Sequence, residues 1–419
     1  MVLKSLQSLL MLSALQLTAL FLFCKGFFPY KTYLSGHATE ADSPSRLDLT
    51  GIADDAPPQF DRLVFVLVDA LRNDFVFEKS SGFSFVQSLI SQGSAKPFTA
   101  KATAPTVTLP RIKALTTGTI PSFVDAILNI AESDTSSSLK YQDNWVYQLS
   151  NNGTNTINFF GDDTWMKLFP GLFSTTDGTT SFYVSDTVEV DKNVTRHVSP
   201  ELERSDWKAL IFHYLGLDHI GHLGGPESPL MLDKQKEMDN VIRTIYEAVA
   251  EEDHKRRKAS HDVHGTLIVL CGDHGMNEAG NHGGSSESET STAMVFMSPK
   301  YESRPTIKRK GTRQRQTFSK RDRYGYPLIE QIDIVPTLST LLGFPIPKNN
   351  IGKVILELFN TNNAVPTLRA LQLNAHQIAE VLTAHIGISY ERKSSINDLD
   401  SPTLIKLELS EEVKSIQEA

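Results

Sequence analysis

Along this chain, runs of apolar residues too short for independent helices alternate with stretches that repeat apolar residues at helical spacing. Leu63–Val68, Asn155–Phe160, Ala209–Leu215 and Leu267–Cys271 read as strands, and the first, third and fourth lack the polar alternation of a half-exposed strand. Between them, Phe83–Ser91 and Lys234–Glu252 place apolar residues at i, i+3 and i+4, the second through Met238, Val241, Ile242, Ile245 and Val249. Arg111–Leu115 begins a further helix, Phe182–Val184 leads into an amphipathic stretch ending at Arg204, and Ala364–Ile388 is one more amphipathic helix. Strands and helices in alternation predict an α/β fold with a mainly parallel central sheet flanked by helices.

The N-terminus departs from this pattern. Leu9–Phe23 is mostly apolar, sits between Lys4 and Lys25, and approaches the ~20 residues a span needs when extended through Phe28. With no small-x-small cleavage site, the reading is an uncleaved signal anchor in residues 1–30, followed by a linker in 31–60, a folded domain in 61–350 and a helical and polar tail in 351–419. The lysines on both sides leave the orientation open. The sequons at Asn152 and Asn193 point to a lumenal domain. A net charge of -8 argues against a nucleic-acid partner. Two cysteines, Cys24 and Cys271, cannot form a disulfide framework. The basic run Lys300–Arg323 reads as a solvated loop, with contact to lipid headgroups or a phosphorylated glycan as the second reading.

Chemistry concentrates where the strands stop. The first ends in Asp69, the third runs into a glycine-bounded loop carrying Asp218 and His222, and the fourth ends in Gly272-Asp273-His274-Gly275, with His282 eight residues after His274. Ligands of open parallel sheets bind at the carboxyl ends of the strands. Between Pro105 and Pro110, Thr106 and Thr108 sit in an extended, exposed turn at the start of a helix, as nucleophile candidates or as helix caps. Asp69, Thr108, Asp218, His222, Asp273, His274 and His282 would thus meet at one edge. Nitrogen and carboxylate donors without thiolate suit zinc, with manganese second. Seven donors exceed one tetrahedral ion and fit two, spaced about 3.5–4 Å as in two-metal phosphoryl-transfer sites.

Asp69 after the first strand, a hydroxyl before Leu-Pro, Asp218-x-x-x-His222, Asp273-His274-Gly and the trailing His282 resemble the alkaline phosphatase and phosphodiesterase superfamily. More narrowly, Val-Asp-Ala-Leu-Arg72, Thr-Leu-Pro-Arg-Ile-Lys-Ala-Leu-Thr-Thr-Gly118, Asp-Gly-Thr-Thr-Ser-Phe182, His-Tyr-Leu-Gly-Leu-Asp-His-Ile-Gly-His222 and Gly-Asp-His-Gly-Met276 resemble the glycosylphosphatidylinositol (GPI) ethanolamine phosphate transferases, nearest to the group that modifies the second mannose. The resemblance runs from about residue 60 to about 350. It implies an alkaline-phosphatase-like fold with one zinc held by Asp69, Thr108, Asp273 and His274, and a second by Asp218, His222 and His282. It also implies Thr108 as nucleophile, with Thr106 as the backup. The implied donor is phosphatidylethanolamine, the acceptor a GPI precursor, the place the endoplasmic reticulum membrane, and a small multi-span subunit is a candidate partner. A membrane-anchored phosphodiesterase with water as acceptor, and an inactive metal-stabilised partner subunit, are the alternatives. Cysteine-type sulfatases are excluded by Thr108. Members of the family continue into many membrane spans, and no second apolar run of ~18 residues follows here, so the chain is expected to be truncated or alternatively spliced.

Overall fold

The computed structural model describes residues 2–27, 34–43, 58–121, 138–151, 156–302, 320–359 and 364–386. Asn152, residues 303–319 of the basic segment and residues 387–419 of the tail lie outside these.

Eight strands form one sheet: β1 Arg62–Val68, β2 Ala95–Lys101, β3 Thr156–Asp162, β4 Thr175–Thr179, β5 Trp207–Tyr214, β6 Thr266–Cys271, β7 Ser291–Met297 and β8 Leu328–Glu330. Their order is β4-β3-β5-β1-β6-β7-β2-β8, and β7 alone runs antiparallel to its neighbours. The mainly parallel sheet is therefore as expected. β1 is central, in register with β5 (Phe65 beside Ile211) and with β6 (Phe65 beside Val269). Every residue of β1 is buried because both faces are covered. Leu63, Phe65 and Leu67 point into one core with α3 (Thr108–Thr117) and α7 (Ile334–Leu342). Val64, Val66 and Val68 point into the other, with α2 (Ser84–Gln92), α4 (Glu189–Glu203) and α6 (Met231–Ala259). Phe60, Val354, Leu358 and Phe359 belong to the first core, as does Ala370 of α8 (Ala364–Ile386).

The helix α1 (Val2–Phe27) contains Leu6–Gly26, which is long and apolar enough to cross a membrane, with a mean hydropathy of 1.8 and no burial against the rest of the chain. Both cysteines are free thiols, Cys24 in α1 and Cys271 buried in β6.

Two local expectations change. Residues 216–224 form a helix, α5 (Gly216–Gly224), where the glycines predicted a loop. Buried Asp191 explains it: its Oδ1 accepts the backbone N–H groups of Leu215 (3.0 Å) and Gly216 (2.9 Å), while Leu217 and Ile220 are buried beneath the helix. β4, whose sequence TTDGT is polar, lies at the sheet edge and had no counterpart in the sequence reading. Thr106 is fully buried, so the segment between the prolines is not an exposed turn, and α3 starts at Thr108 with Pro110 inside its first turn, where a missing N–H costs nothing.

Asp191 Oδ2 also accepts from Lys234 Nζ at 2.9 Å, and both side chains are buried. Removing the carboxylate strands two buried amides and leaves the buried Lys234 ammonium with Glu237 (2.8 Å) as its remaining carboxylate partner. Asp191→Ala is expected to destabilise the fold by about 3–5 kcal/mol, as measured by the midpoint of urea unfolding.

Candidate active site

Backbone pairing of neighbouring strands gathers the site. β5, β1 and β6 end side by side, so Asp69, Asp218, Asp273 and His274 emerge at one edge. The turn after β1 is tight. Ala70 holds a left-handed φ of 57°, and its N–H donates to Asp273 Oδ1 at 3.1 Å, locking the ends of β1 and β6 together. A non-glycine residue there is strained, and such strain persists only where surrounding contacts hold it. The second loop packs as closely. At Gly280, φ 75°, an added Cβ would lie 1.9 Å from Gly221 O on α5, so only glycine lets the segment carrying His282 approach that helix.

Two adjoining groups result. In the first, Thr108 Oγ1 donates to Asp69 Oδ2 at 3.2 Å, and His274 Nε2 faces Asp69 Oδ1 at 3.2 Å and Asp273 Oδ2 at 3.4 Å. In the second, Asp218 and His222, four apart on one face of α5, meet His282. His222 Nε2 is 3.2 Å from Asp218 Oδ2 and 3.1 Å from His282 Nε2, which lies 3.7 Å from Asp218 Oδ1. The rings of His274 and His282 stack with centroids 4.0 Å apart, joining the groups. All seven residues picked from the sequence stand together. Asn193 lies half-buried within α4.

Thr106 and Thr108 take different parts. The buried Thr106 hydroxyl donates to Gly284 O (2.8 Å) and accepts from Gly283 N–H (2.9 Å), while its carbonyl accepts from His282 Nδ1 (2.9 Å). Thr106 thus holds the loop that carries His282. Thr108 is half-buried, and neither threonine side chain caps α3, whose N-cap residue is Val107.

The residues fit divalent cations by their unsatisfied donor atoms. His282 donates Nδ1–H to Thr106 O, and His274 Nδ1 stands 2.9 Å from Gly275 O, which as a carbonyl can only accept. Each neutral ring therefore turns an Nε2 lone pair toward carboxylate oxygens. The buried atoms Asp69 Oδ1, Asp218 Oδ1, Asp273 Oδ2 and His274 Nε2 have no hydrogen-bond partner among the described residues. Lone pairs this close repel unless a cation lies among them, and a carbonyl holding the far ring nitrogen is the usual support of a ligating histidine. Nearby, the buried Arg111 donates from Nη1 to Thr103 O and to Thr103 Oγ1 at 3.0 Å, while its Nε and Nη2 have no hydrogen-bond partner among the described residues.

Burial drives the electrostatics. Asp69 is raised well above the ordinary carboxylate range by burial and by Asp273, Asp218 and Asp162 around it. Burial lifts Asp273 to about 6. It lowers His274 and His282 to about 4, which keeps both rings neutral. Burial also acts on Asp218, but the His222 hydrogen bond and the nearby His282 and His274 outweigh it, and its pKa is lowered. Its hydrogen bond raises His222 in turn. A carboxylic acid must shed its proton to take up a cation, so acid competes wherever Asp273 is protonated, below about 6. Zinc affinity, measured by competition with a chelating dye, is expected to fall as the pH is lowered through that value.

Sequence reasoning passed over His213. It is fully buried at the penultimate position of β5, with Nε2 3.5 Å from Asp69 Oδ2, and reads in sequence as one more core position. A histidine inside an apolar central strand, one residue short of its end, was the available signal.

The fold has a counterpart in a crystal structure of wild-type alkaline phosphatase PafA, with a TM-score of 0.50 at 11% identity, covering 74% of this chain and 100% of that one. The GPI ethanolamine phosphate transferase 2 of Aspergillus fumigatus is 51% identical over 377 residues, 90% of this chain and 46% of the relative. That of Candida albicans is 47% identical over 384 residues, 90% of this chain and 40% of the relative. The chain therefore spans less than half the length of these curated relatives. The family model for type I phosphodiesterase / nucleotide pyrophosphatase matches residues 63–288, from the second residue of β1 past His282, and so takes in every member of the cluster. A match over more than half the chain that encloses the whole site makes this chain a member of the type I phosphodiesterase / nucleotide pyrophosphatase family.

Proposed function

We propose that this chain carries the catalytic domain of an ethanolamine phosphate transferase of GPI-anchor synthesis. The observation that carries this reading is the pairing of a half-buried Thr108 hydroxyl, 3.2 Å from Asp69, with three buried carboxylates and the inward nitrogens of His222, His274 and His282. The names of the curated relatives supply the substrate class. Asp69, Thr108, Asp273 and His274 would hold one divalent cation, and Asp218, His222 and His282 a second, zinc by the donor set with manganese second. When bound, such a pair lowers the pKa of a hydroxyl and offsets charge on phosphoryl oxygens and on the departing alkoxide.

The chain's own residues perform two displacements. Thr108 Oγ1 attacks the phosphorus of phosphatidylethanolamine as its proton passes toward Asp69. The Thr108 O–P bond forms, the diacylglycerol O–P bond breaks, and diacylglycerol leaves with a proton. A mannose hydroxyl of the GPI precursor, on the second mannose by the nearest sequence pattern, then attacks the same phosphorus. Its proton returns to Thr108 as that O–P bond breaks. The first turn of α3 turns backbone N–H groups toward the phosphoryl group. In this reading α1 anchors residues 1–30, the linker spans 31–60 and the domain of 61–350 faces the lumen of the endoplasmic reticulum. Both substrates are membrane lipids, and a multi-span subunit is the candidate partner. Asn193 is the glycosylation candidate among the described residues.

The test is to incubate the zinc-loaded chain with phosphatidylethanolamine in detergent, quench in acid and map the peptides by mass spectrometry. An ethanolamine phosphate adduct on Thr108, consumed faster by added mannoside than by water, is expected. An adduct on Thr106, or consumption indifferent to mannoside, contradicts the nucleophile or the transferase reading respectively.

A further inference from the structure

Asp69, His213 and Asp273 each place one donor atom within 4.8 Å of the others, so ligand counting alone would make His213 a metal ligand. The hydrogen bond on the far side of its ring points elsewhere. Trp165 Nε1 stands 3.1 Å from His213 Nδ1, and both side chains are fully buried. An indole N–H can only donate, so Nδ1 must accept, and the proton of the neutral ring sits on Nε2. His274 and His282 show the opposite arrangement, with Nδ1 facing carbonyls and the lone pair on Nε2.

Neither partner is free to change this assignment. The Trp165 ring is fixed among Phe65, Phe159 and Phe169, with ring centroids 6.2, 5.6 and 5.5 Å away. The His213 backbone is pressed against β3, where a Cβ on Gly161 would lie 2.2 Å from His213 O. The Nε2–H therefore faces Asp69 Oδ2 at 3.5 Å with no hydrogen bond formed among the described residues; that oxygen also accepts from Thr108, while Oδ1 faces His274.

We infer that His213 is a positioning residue, an N–H donor locked by Trp165 that turns Asp69 so that one oxygen serves the nucleophile and the other the cation. The inference rests on the metal-site reading above and goes beyond it. The two carboxylate oxygens face different chemistry, and a ligand lacking this support would be free to rotate.

The test titrates the full chain with zinc ions alone against a chelating dye. His213→Ala is expected to weaken the cation at Asp69 by about 10–100-fold and to leave the one at Asp218 unchanged. His213→Gln, whose amide nitrogen reaches the same place as a donor, is expected to recover most of that loss. Trp165→Phe is expected to weaken the same cation by less. A direct ligand behaves otherwise: Gln would be as poor as Ala, and Trp165→Phe would tighten binding, because the indole N–H would no longer oppose a proton on Nδ1. Either result overturns the inference. Long-range nitrogen NMR of the unmodified zinc-loaded chain decides without any variant, since an Nε2–H tautomer of His213 supports the assignment and an Nδ1–H tautomer overturns it. Two tightly held zinc ions in the unmodified chain together with ligand-like behaviour of His213 would sink this inference alone, whereas a chain that binds no zinc removes the metal-site reading and the inference with it.

Discussion

Thr108→Ala is expected to lower turnover of a small soluble phosphodiester by about a thousandfold or more, as loss of a covalent nucleophile does elsewhere, while leaving the fold in place. Thr108 is half-buried, caps nothing and spends its hydroxyl on Asp69, so its removal empties one hydrogen bond. Thr106→Ala should fail in a different way. It cuts the hydroxyl bonds to Gly283 and Gly284 beside the carbonyl that orients His282, and should loosen the cation held there. The adduct should still form on Thr108 in that variant when zinc is in excess. Comparing kcat at low and high zinc separates the two, because excess metal rescues a loosened site and cannot replace a missing nucleophile. Full activity of Thr108→Ala alongside an inactive Thr106→Ala would reverse the assignment.

His222→Ala and His282→Ala are each expected to release about one equivalent of metal, since both remove donors from the group around Asp218. Their effects should not add. Once one histidine is gone the cation at Asp218 is lost, and the second substitution has no further ion of that group to release. Asp218 then keeps a buried carboxylate without its counter-charges, so its pKa should climb out of the lowered range it holds beside them. Unchanged metal content in both single variants would contradict the two-ion arrangement.

Much of this was legible in the chain because the strands at the centre of a parallel sheet must be apolar on both faces. Leu63–Val68 and Leu267–Cys271 announced themselves that way, and a carboxylate one or two residues after each marked the edge where the site lies. What escaped obeys other rules. β4, Thr175–Thr179, is an edge strand with no apolar alternation to find. The helix α5 carries Gly216, Gly221 and Gly224, which disfavour a helix by about 1 kcal/mol each, and it forms because Asp191, 25 residues before Gly216, receives its first amides. Thr106 and Thr108 are equivalent in sequence and separate only when the loop of His282 folds back onto one of them. His213 looks like core until Trp165 fixes its proton.

The central claim, that these side chains form a two-cation phosphoryl-transfer site, is tested most directly by the metal content of the unmodified 419-residue chain, purified without chelator and measured by mass spectrometry. About two equivalents of zinc per polypeptide are expected, from the two groups that adjoin at His274 and His282. A folded chain that retains no divalent metal after equilibration with zinc or manganese would contradict it.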